Sequence, residues 1–185
     1  TEDPKMDWRE LIQQQIQSIV KNDFSYLRPN RKSPPGIMLP GMIPDVKIDI
    51  AIAIDMSGSI SQAQGSFFLN EIKGIMDEFP EFDMKVWCFD TEVVAYAEFT
   101  EDTAEDIHEY VPKGGGGTMF ECNWKFMMDE GIEPKRFIMF TDGYPCGTWG
   151  DEYYCDTIFI VHGSESIVAP FGLTAHYDDR DSSNV

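Results

Sequence analysis

The chain has 185 residues, enough for one domain with a real core and a small appendage. It is 42% hydrophobic, with 13 Phe, 7 Tyr and 4 Trp, which excludes a disordered chain, and no apolar run reaches the ~18 residues of a membrane-spanning helix. Residues 51–185 carry the whole net charge of −19, a surface that repels phosphate backbones, argues against nucleic-acid binding and concentrates divalent cations.

In chain order, Asp3 can cap a first helix that Pro4 opens. Trp8, Leu11, Ile12, Ile16, Ile19 and Val20 then recur at helical spacing and give one apolar face, until Asn22 can end it. Pro29, Pro34, Pro35, Pro40 and Pro44 make residues 23–46 an extended arm, in which Phe24, Tyr26, Ile37, Met38 and Leu39 are apolar enough to pack. Residues 47–54 read as a central parallel strand that starts alternating and ends nearly all apolar. A sharp loop, Asp55 to Ser59, leads into a helix over residues 60–79, which Pro80 follows. Strands are expected at residues 84–89 and 93–99. The turn Asp90-Thr91-Glu92 between them is too short for a parallel crossover, so the second of these should run antiparallel.

Residues 102–110 suggest a short acidic helix, and Lys113 to Thr118 form a glycine-rich loop. A helix over 119–130 stops at Gly131. Strands follow at 136–141 and 157–161, separated by a turn-rich loop, with one more extended segment within 167–176 and a polar tail. Cys88 lies in a strand and should be a buried thiol. The other cysteines, Cys122, Cys146 and Cys155, lack a Cys-x-x-Cys zinc spacing and are expected as free thiols, with a Cys146–Cys155 disulfide or a zinc site as the lesser reading. No secretory leader is legible, and the expected setting is cytoplasmic.

Three regions follow. Residues 1–46 form a helix and proline-rich arm expected to pack on the main domain, residues 47–177 form that domain, and residues 178–185 form the tail. Strands alternating with helices give an α/β fold, a mostly parallel central sheet with one antiparallel edge strand and helices on both faces. The first strand should be central, beside the strand at 136–141. Asp55 and Asp142 each directly follow a strand's carboxyl end, so the topology brings these two carboxylates together where ligands bind in such sheets.

The chemistry-bearing pattern has three segments: Asp55-Met56-Ser57-Gly58-Ser59, Thr118 after four glycines, and Thr141-Asp142-Gly143. Taken singly, each has a plainer meaning. The first could be a helix cap through Ser59, the second a flexible loop and the third a turn. No Lys follows the glycines, so a Walker-type phosphate loop fails. Jointly and in this order they resemble the metal-ion-dependent adhesion site of von Willebrand factor A (VWA) domains, which include integrin inserted domains and magnesium chelatase subunits. The resemblance implies a Rossmann-like VWA fold and a divalent cation, Mg²⁺ with Mn²⁺ or Ca²⁺ as alternates. It implies direct ligation by the hydroxyls of Ser57 and Ser59. Thr118 would ligate directly or through water, with Asp55 and Asp142 holding coordinated waters and orienting the hydroxyls. Oxygen-only donors suit such hard ions, and neutral hydroxyls leave the metal electrophilic enough to accept a partner's carboxylate.

A narrower resemblance rests on Asp7-Trp8-Arg9-Glu10-Leu11, Phe24-Ser25-Tyr26, Arg28-Pro29-Asn30-Arg31 and Leu39-Pro40-Gly41. These are similar to the lead-in of VWA-like domains at the carboxyl end of metallopeptidase-like proteins of bacteria and phages. The His-Glu-x-x-His zinc helix of such proteins is absent here. The histidines are His108, His162 and His176, and His108-Glu109 is followed by Tyr110, Val111 and Pro112.

The expected function is therefore a metal-dependent protein-interaction module, without catalytic activity, that binds an Asp or Glu of a partner. By resemblance that partner is a MoxR-type AAA+ ATPase. The alternative is the non-catalytic carboxyl-terminal part of a metallopeptidase-like or metal-chelatase-like complex. A haloacid dehalogenase-type phosphatase would need a second Asp where Ser57 stands, and a metal-dependent hydrolase lacks a further positioned acid or histidine in these loops. A secreted adhesion protein would predict disulfides and a leader.

Overall fold

The computed structural model describes residues 7–23, 48–56 and 60–177. The expectations for the Asp3–Pro4 helix start, the proline-rich arm, Ser57 to Ser59 and the tail from residue 178 lie outside the described residues.

Strand β1, Ile48–Asp55, organises the rest through a simple alternation of side-chain size. Ile48, Ile50, Ile52 and Ile54 point to one face of the sheet, and the small Ala51 and Ala53 to the other. On the isoleucine face lie the helices α1, Trp8–Asp23, and α2, Gln62–Met76. On the alanine face the missing volume is filled by Trp87, Phe137 and Met139 and by Trp124 and Met127 of α3, Glu121–Glu130. Small beside large is how facing layers reach crystal-like packing density.

The sheet has six strands in the order β3-β2-β1-β4-β5-β6. Strands β2 (Phe82–Phe89), β4 (Arg136–Thr141), β5 (Thr157–His162) and β6 (Leu173–Tyr177) run parallel to β1, directly or through their neighbours. Strand β3, Val93–Thr100, is the antiparallel edge that the short turn after β2 requires. Within it Ala95 takes a left-handed conformation, φ 55°, and its carbonyl accepts the Tyr110 hydroxyl at 2.7 Å.

Two local expectations are refined. Helix α2 is capped by Ser61, whose hydroxyl accepts Gln64 N–H at 3.2 Å while Gln64 Oε1 accepts Ser61 N–H at 2.8 Å. This reciprocal capping box places the N-cap at Ser61. The acidic segment expected as a helix over 102–110 is a 3₁₀ helix, Ala104–Glu109. Its apolar anchors, Ala104 and Ile107, are three residues apart, and a three-residue turn puts both on the buried side while Glu105, Asp106 and Glu109 stay in water.

Helix α1 is bound to the sheet by one stripe. Trp8, Ile12, Ile16 and Ile19 are all buried. The Trp8 ring meets Phe68 at 5.2 Å and Tyr177 at 5.7 Å, and Phe68 in turn stacks on Phe140 at 4.5 Å. Arg9 lies over the Trp8 ring at 4.9 Å and pairs with Glu71 of α2 at 2.8 Å. Truncating a buried aromatic of this size costs roughly 3–5 kcal/mol. Trp8→Ala should therefore lower the denaturation midpoint strongly; an unchanged midpoint would show that α1 contributes nothing to the fold.

Candidate functional site

Strands β1, β2, β4 and β5 end at one edge of the sheet. β1 is paired with β2 on one side and β4 on the other, so the strand order reverses beside it and a crevice opens at the carboxyl ends. The register places Ile54 opposite Phe140, so Asp55 and Thr141 are the next residues of adjacent strands. The Thr141 hydroxyl donates to Asp55 Oδ2 at 2.7 Å and accepts Gly143 N–H at 3.1 Å. Asp55 is 1% exposed, a carboxylate committed to one direction by a buried hydroxyl.

Asp142, half-buried, begins the loop after β4, and its Oδ1 accepts Tyr144 N–H at 3.1 Å. This local bond turns the loop back over the edge. Gly143 is required there: its φ is +85°, and a Cβ would sit 2.8 Å from Ile167.

The glycine loop is pressed onto the same edge. Gly114, at φ +144°, passes so close to the end of β1 that a Cβ would come within 2.7 Å of the Met56 Cβ. Gly116 N–H donates to Asp90 Oδ2 at 3.2 Å, Met119 N–H to the Asp90 carbonyl at 2.9 Å, and Cys146 N–H to the Thr118 carbonyl at 2.8 Å. Thr118 is thus held between the loops that follow β2 and β4. Its side chain is buried, 7% exposed, and its hydroxyl makes no hydrogen bond to another described residue.

Of the five residues expected to hold a cation, Asp55, Thr118 and Asp142 are carried to this one edge. Ser57 and Ser59 lie outside the described residues. Carboxylate and hydroxyl oxygens are the donors a hard divalent ion takes, and the Thr118 hydroxyl, lacking a hydrogen bond to another described residue, fits such an ion. Among the described residues no group of three or more His, Cys, Asp or Glu side chains converges on a common ion position, so a cation here would depend on neutral hydroxyl oxygens.

Sequence reasoning missed Asp90. It follows the apolar strand β2 as Asp55 ends β1 and Asp142 follows β4, and that shared position was the available signal. Asp90 also accepts N–H bonds from Thr91 at 2.5 Å and Glu92 at 3.0 Å. The backbone N–H of Glu92, with those of Thr91, Gly116 and Gly115, holds the Asp90 carboxyl below its ordinary value. Asp90 therefore anchors the glycine loop as an anion. On α3, burial first, and then the nearby carboxylates of Asp90 and Asp55, push the Cys122 thiol up to about 12, which keeps it protonated and poorly nucleophilic. All four cysteines are free; Cys88 is buried, as expected, and burial pushes Cys155 up to about 11.

Residues 50–178 match the family model described as VWA-like domain (DUF2201). No curated protein matches the chain. Among solved structures, the ArnB paralog VWA2 from Sulfolobus acidocaldarius superposes with a TM-score of 0.51 at 14% identity, covering 74% of this chain and 42% of that one. The conserved hypothetical protein BatB from Bacteroides thetaiotaomicron superposes with a TM-score of 0.50 at 14% identity, covering 74% of this chain and 93% of that one. At this identity the likeness is one of fold, and the chain spans less than half of the Sulfolobus protein.

The depressed Asp90 carboxyl sets a pH dependence. A group whose folded value is lowered stabilises the fold above its unfolded value, near 3.9, and loses that contribution as pH falls through the folded value. Asp90→Asn in chelator should be less stable than wild type at pH 7 in urea, with the difference shrinking below about pH 4. A gap of the same size at pH 7 and pH 3 would mean that the anion does not hold the loop.

Proposed function

The chain belongs to the DUF2201 family of VWA-like domains, and on that premise we propose a protein-interaction module that uses a divalent cation to take a carboxylate of its partner. The cation, Mg²⁺ in preference to Mn²⁺ or Ca²⁺, would be held by Asp55, Ser57, Ser59, Thr118 and Asp142. The observation that carries this reading is the hydroxyl of Thr118, a residue only 7% exposed, without a hydrogen bond among the described residues, at the edge where Asp55 ends β1 and Asp142 follows β4. A bound ion would supply a Lewis-acidic position for an Asp or Glu oxygen. The residues do the rest. Thr141 fixes the Asp55 carboxylate, Asp90 fixes the glycine loop, and the bond from Cys146 fixes the Thr118 backbone.

Charge makes the ion necessary. A partner carboxylate approaching a chain of net charge −19 is repelled unless a cation meets it at contact. The reading is of a binding module and not of a catalyst, and two features support it: the Cys122 thiol, close enough to Asp90 and Asp55 to feel their charge, is held protonated, and Ser57 stands where a phosphatase of this topology would need a second Asp. The proposed partner is a MoxR-type AAA+ ATPase, and the proposed setting is cytoplasmic, which the free thiols support. Among the described residues no helix is long and apolar enough to cross a membrane.

Mg²⁺ at a hundred times its Kd should stabilise the chain by about 2.7 kcal/mol in thermal unfolding. Ser57→Ala and Thr118→Val should fold and lose that gain; retention of the full shift in both variants would rule out the site. Titration of the ATPase should show binding with Mg²⁺ that strengthens as moderate salt screens the acidic surface. Equal affinity with Mg²⁺, with chelator and for Ser57→Ala would mean that the partner binds elsewhere.

A further inference from the structure

Beside the proposed cation edge, an open groove of about 780 Å³ lies between the start of β3 and helix α3. Its apolar lining includes Val93, Trp124 and Phe126 and two exposed methionines, Met119 at 42% and Met128 at 52%. Its charged residues are Glu92, Glu121 and Asp129 against the single ammonium of Lys125. We propose that this groove docks a short segment of a partner protein in which Leu- or Met-like side chains stand beside Arg or Lys.

The apolar half of the proposal rests on the exposure of the methionines. Met127 and Met128 are successive residues of α3, and only Met127 is needed for the core, where it is fully buried. Met128 is instead about half exposed, and Met119, also on the groove, is 42% exposed. Unbranched, polarisable side chains adapt to varied apolar partners. Phe126, which also lines the groove, is already fixed, edge-on to Trp87 at 5.1 Å and to Tyr96 at 5.4 Å, so one wall is preformed. The volume matches several side chains, within the ~300–1,000 Å³ range of sites that bury ligands well.

The basic half rests on charge complementarity. Three carboxylates against one ammonium leave the groove negative, on a chain that is itself strongly acidic. An acidic segment would be repelled and a purely apolar one would desolvate the carboxylates without compensation, whereas Arg or Lys satisfies them. The required chemistry is opposite in sign to that of the cation edge, so the groove does not depend on the metal reading. Met119 follows Thr118 directly, so one partner could reach both surfaces, with a carboxylate at the edge and basic and apolar side chains in the groove.

The test uses the full chain labelled with ¹³C at its methionine methyls, in chelator and at about 150 mM salt, where surface charges are screened beyond ~8 Å. The probes are two acetylated and amidated octapeptides, one alternating Leu and Arg and the other alternating Leu and Glu. Without the Glu of the second peptide, the first offers no carboxylate to any metal, so failure of the cation reading leaves its result intact. The Leu–Arg peptide should shift the Met119 and Met128 methyls saturably, and the Leu–Glu peptide should bind at least tenfold more weakly. Met128→Asp and the double variant Glu92→Lys, Asp129→Lys, all at exposed positions, should each weaken Leu–Arg binding about tenfold while keeping the wild-type unfolding midpoint. Equal binding of the two peptides, shifts confined to other methionines, or binding indifferent to these variants would each overturn the proposal.

Discussion

The hydrogen bond from the Thr141 hydroxyl to Asp55, 2.7 Å long and buried, joins the ends of two strands separated by 86 residues of sequence. A carboxylate at 1% exposure is costly to bury, and a charge-assisted hydrogen bond of this kind offsets about 1.5–3 kcal/mol of that cost. The bond exists because β1 and β4 are parallel neighbours whose register sets Ile54 beside Phe140. Everything else at the edge is placed relative to that pair. Asp142 is the next residue after Thr141, the turn at Gly143 is held to the same hydroxyl, and the glycine loop lies against Met56, the next residue after Asp55.

The sheet supplies the stiffness this arrangement needs. Large isoleucines on one face of β1 and alanines on the other let two helices cover one side and a dense aromatic layer with α3 cover the other. Trp124 meets Phe137 at 5.3 Å, and Trp149 and Phe171 each meet Phe159 at 5.3 Å, so the loop carrying Trp149 is pinned to the core although it crosses the functional edge. Glu121 adds a second tie, accepting the Thr148 hydroxyl at 2.9 Å. The edge thus combines loops, which expose oxygens, with anchors that keep those oxygens in place.

Electrostatically the chain separates two kinds of acid. Asp55 and Asp90 are engaged by a hydroxyl and by backbone N–H groups, and they order the loops around them. Glu92 and Asp129 stand exposed along the groove. The proposed cation edge would invert the local charge, while the groove keeps it, so neighbouring surfaces would present opposite signs to one partner. Such a pattern favours a partner whose own charges alternate in the same register, and that contributes to specificity more than to raw affinity.

The strand-and-helix alternation, the central place of the strand expected at residues 47–54 and the antiparallel edge after a three-residue turn were legible in the sequence, because hydrophobic period and turn length are local properties. The VWA-like family was legible through the resemblance of its motif segments. The five candidate residues Asp55, Ser57, Ser59, Thr118 and Asp142 came from the resemblance of three motif segments; of these, the fold carries Asp55, Thr118 and Asp142 to one edge, and Ser57 and Ser59 lie outside the described residues. The 3₁₀ helix at Ala104–Glu109 was not separable from an α-helix, because a segment with two apolar anchors leaves the period ambiguous. The role of Asp90 was decided only in three dimensions. Its carboxylate acts on Gly116, 26 residues away, and no local pattern encodes which loop a strand-end acid will hold. The groove likewise exists only because β3 and α3 converge there. Local periodicity therefore determined the elements and motif resemblance the candidate oxygens, while the pairing of distant strand ends decided which loops are rigid, which acids are engaged and which surface stays open.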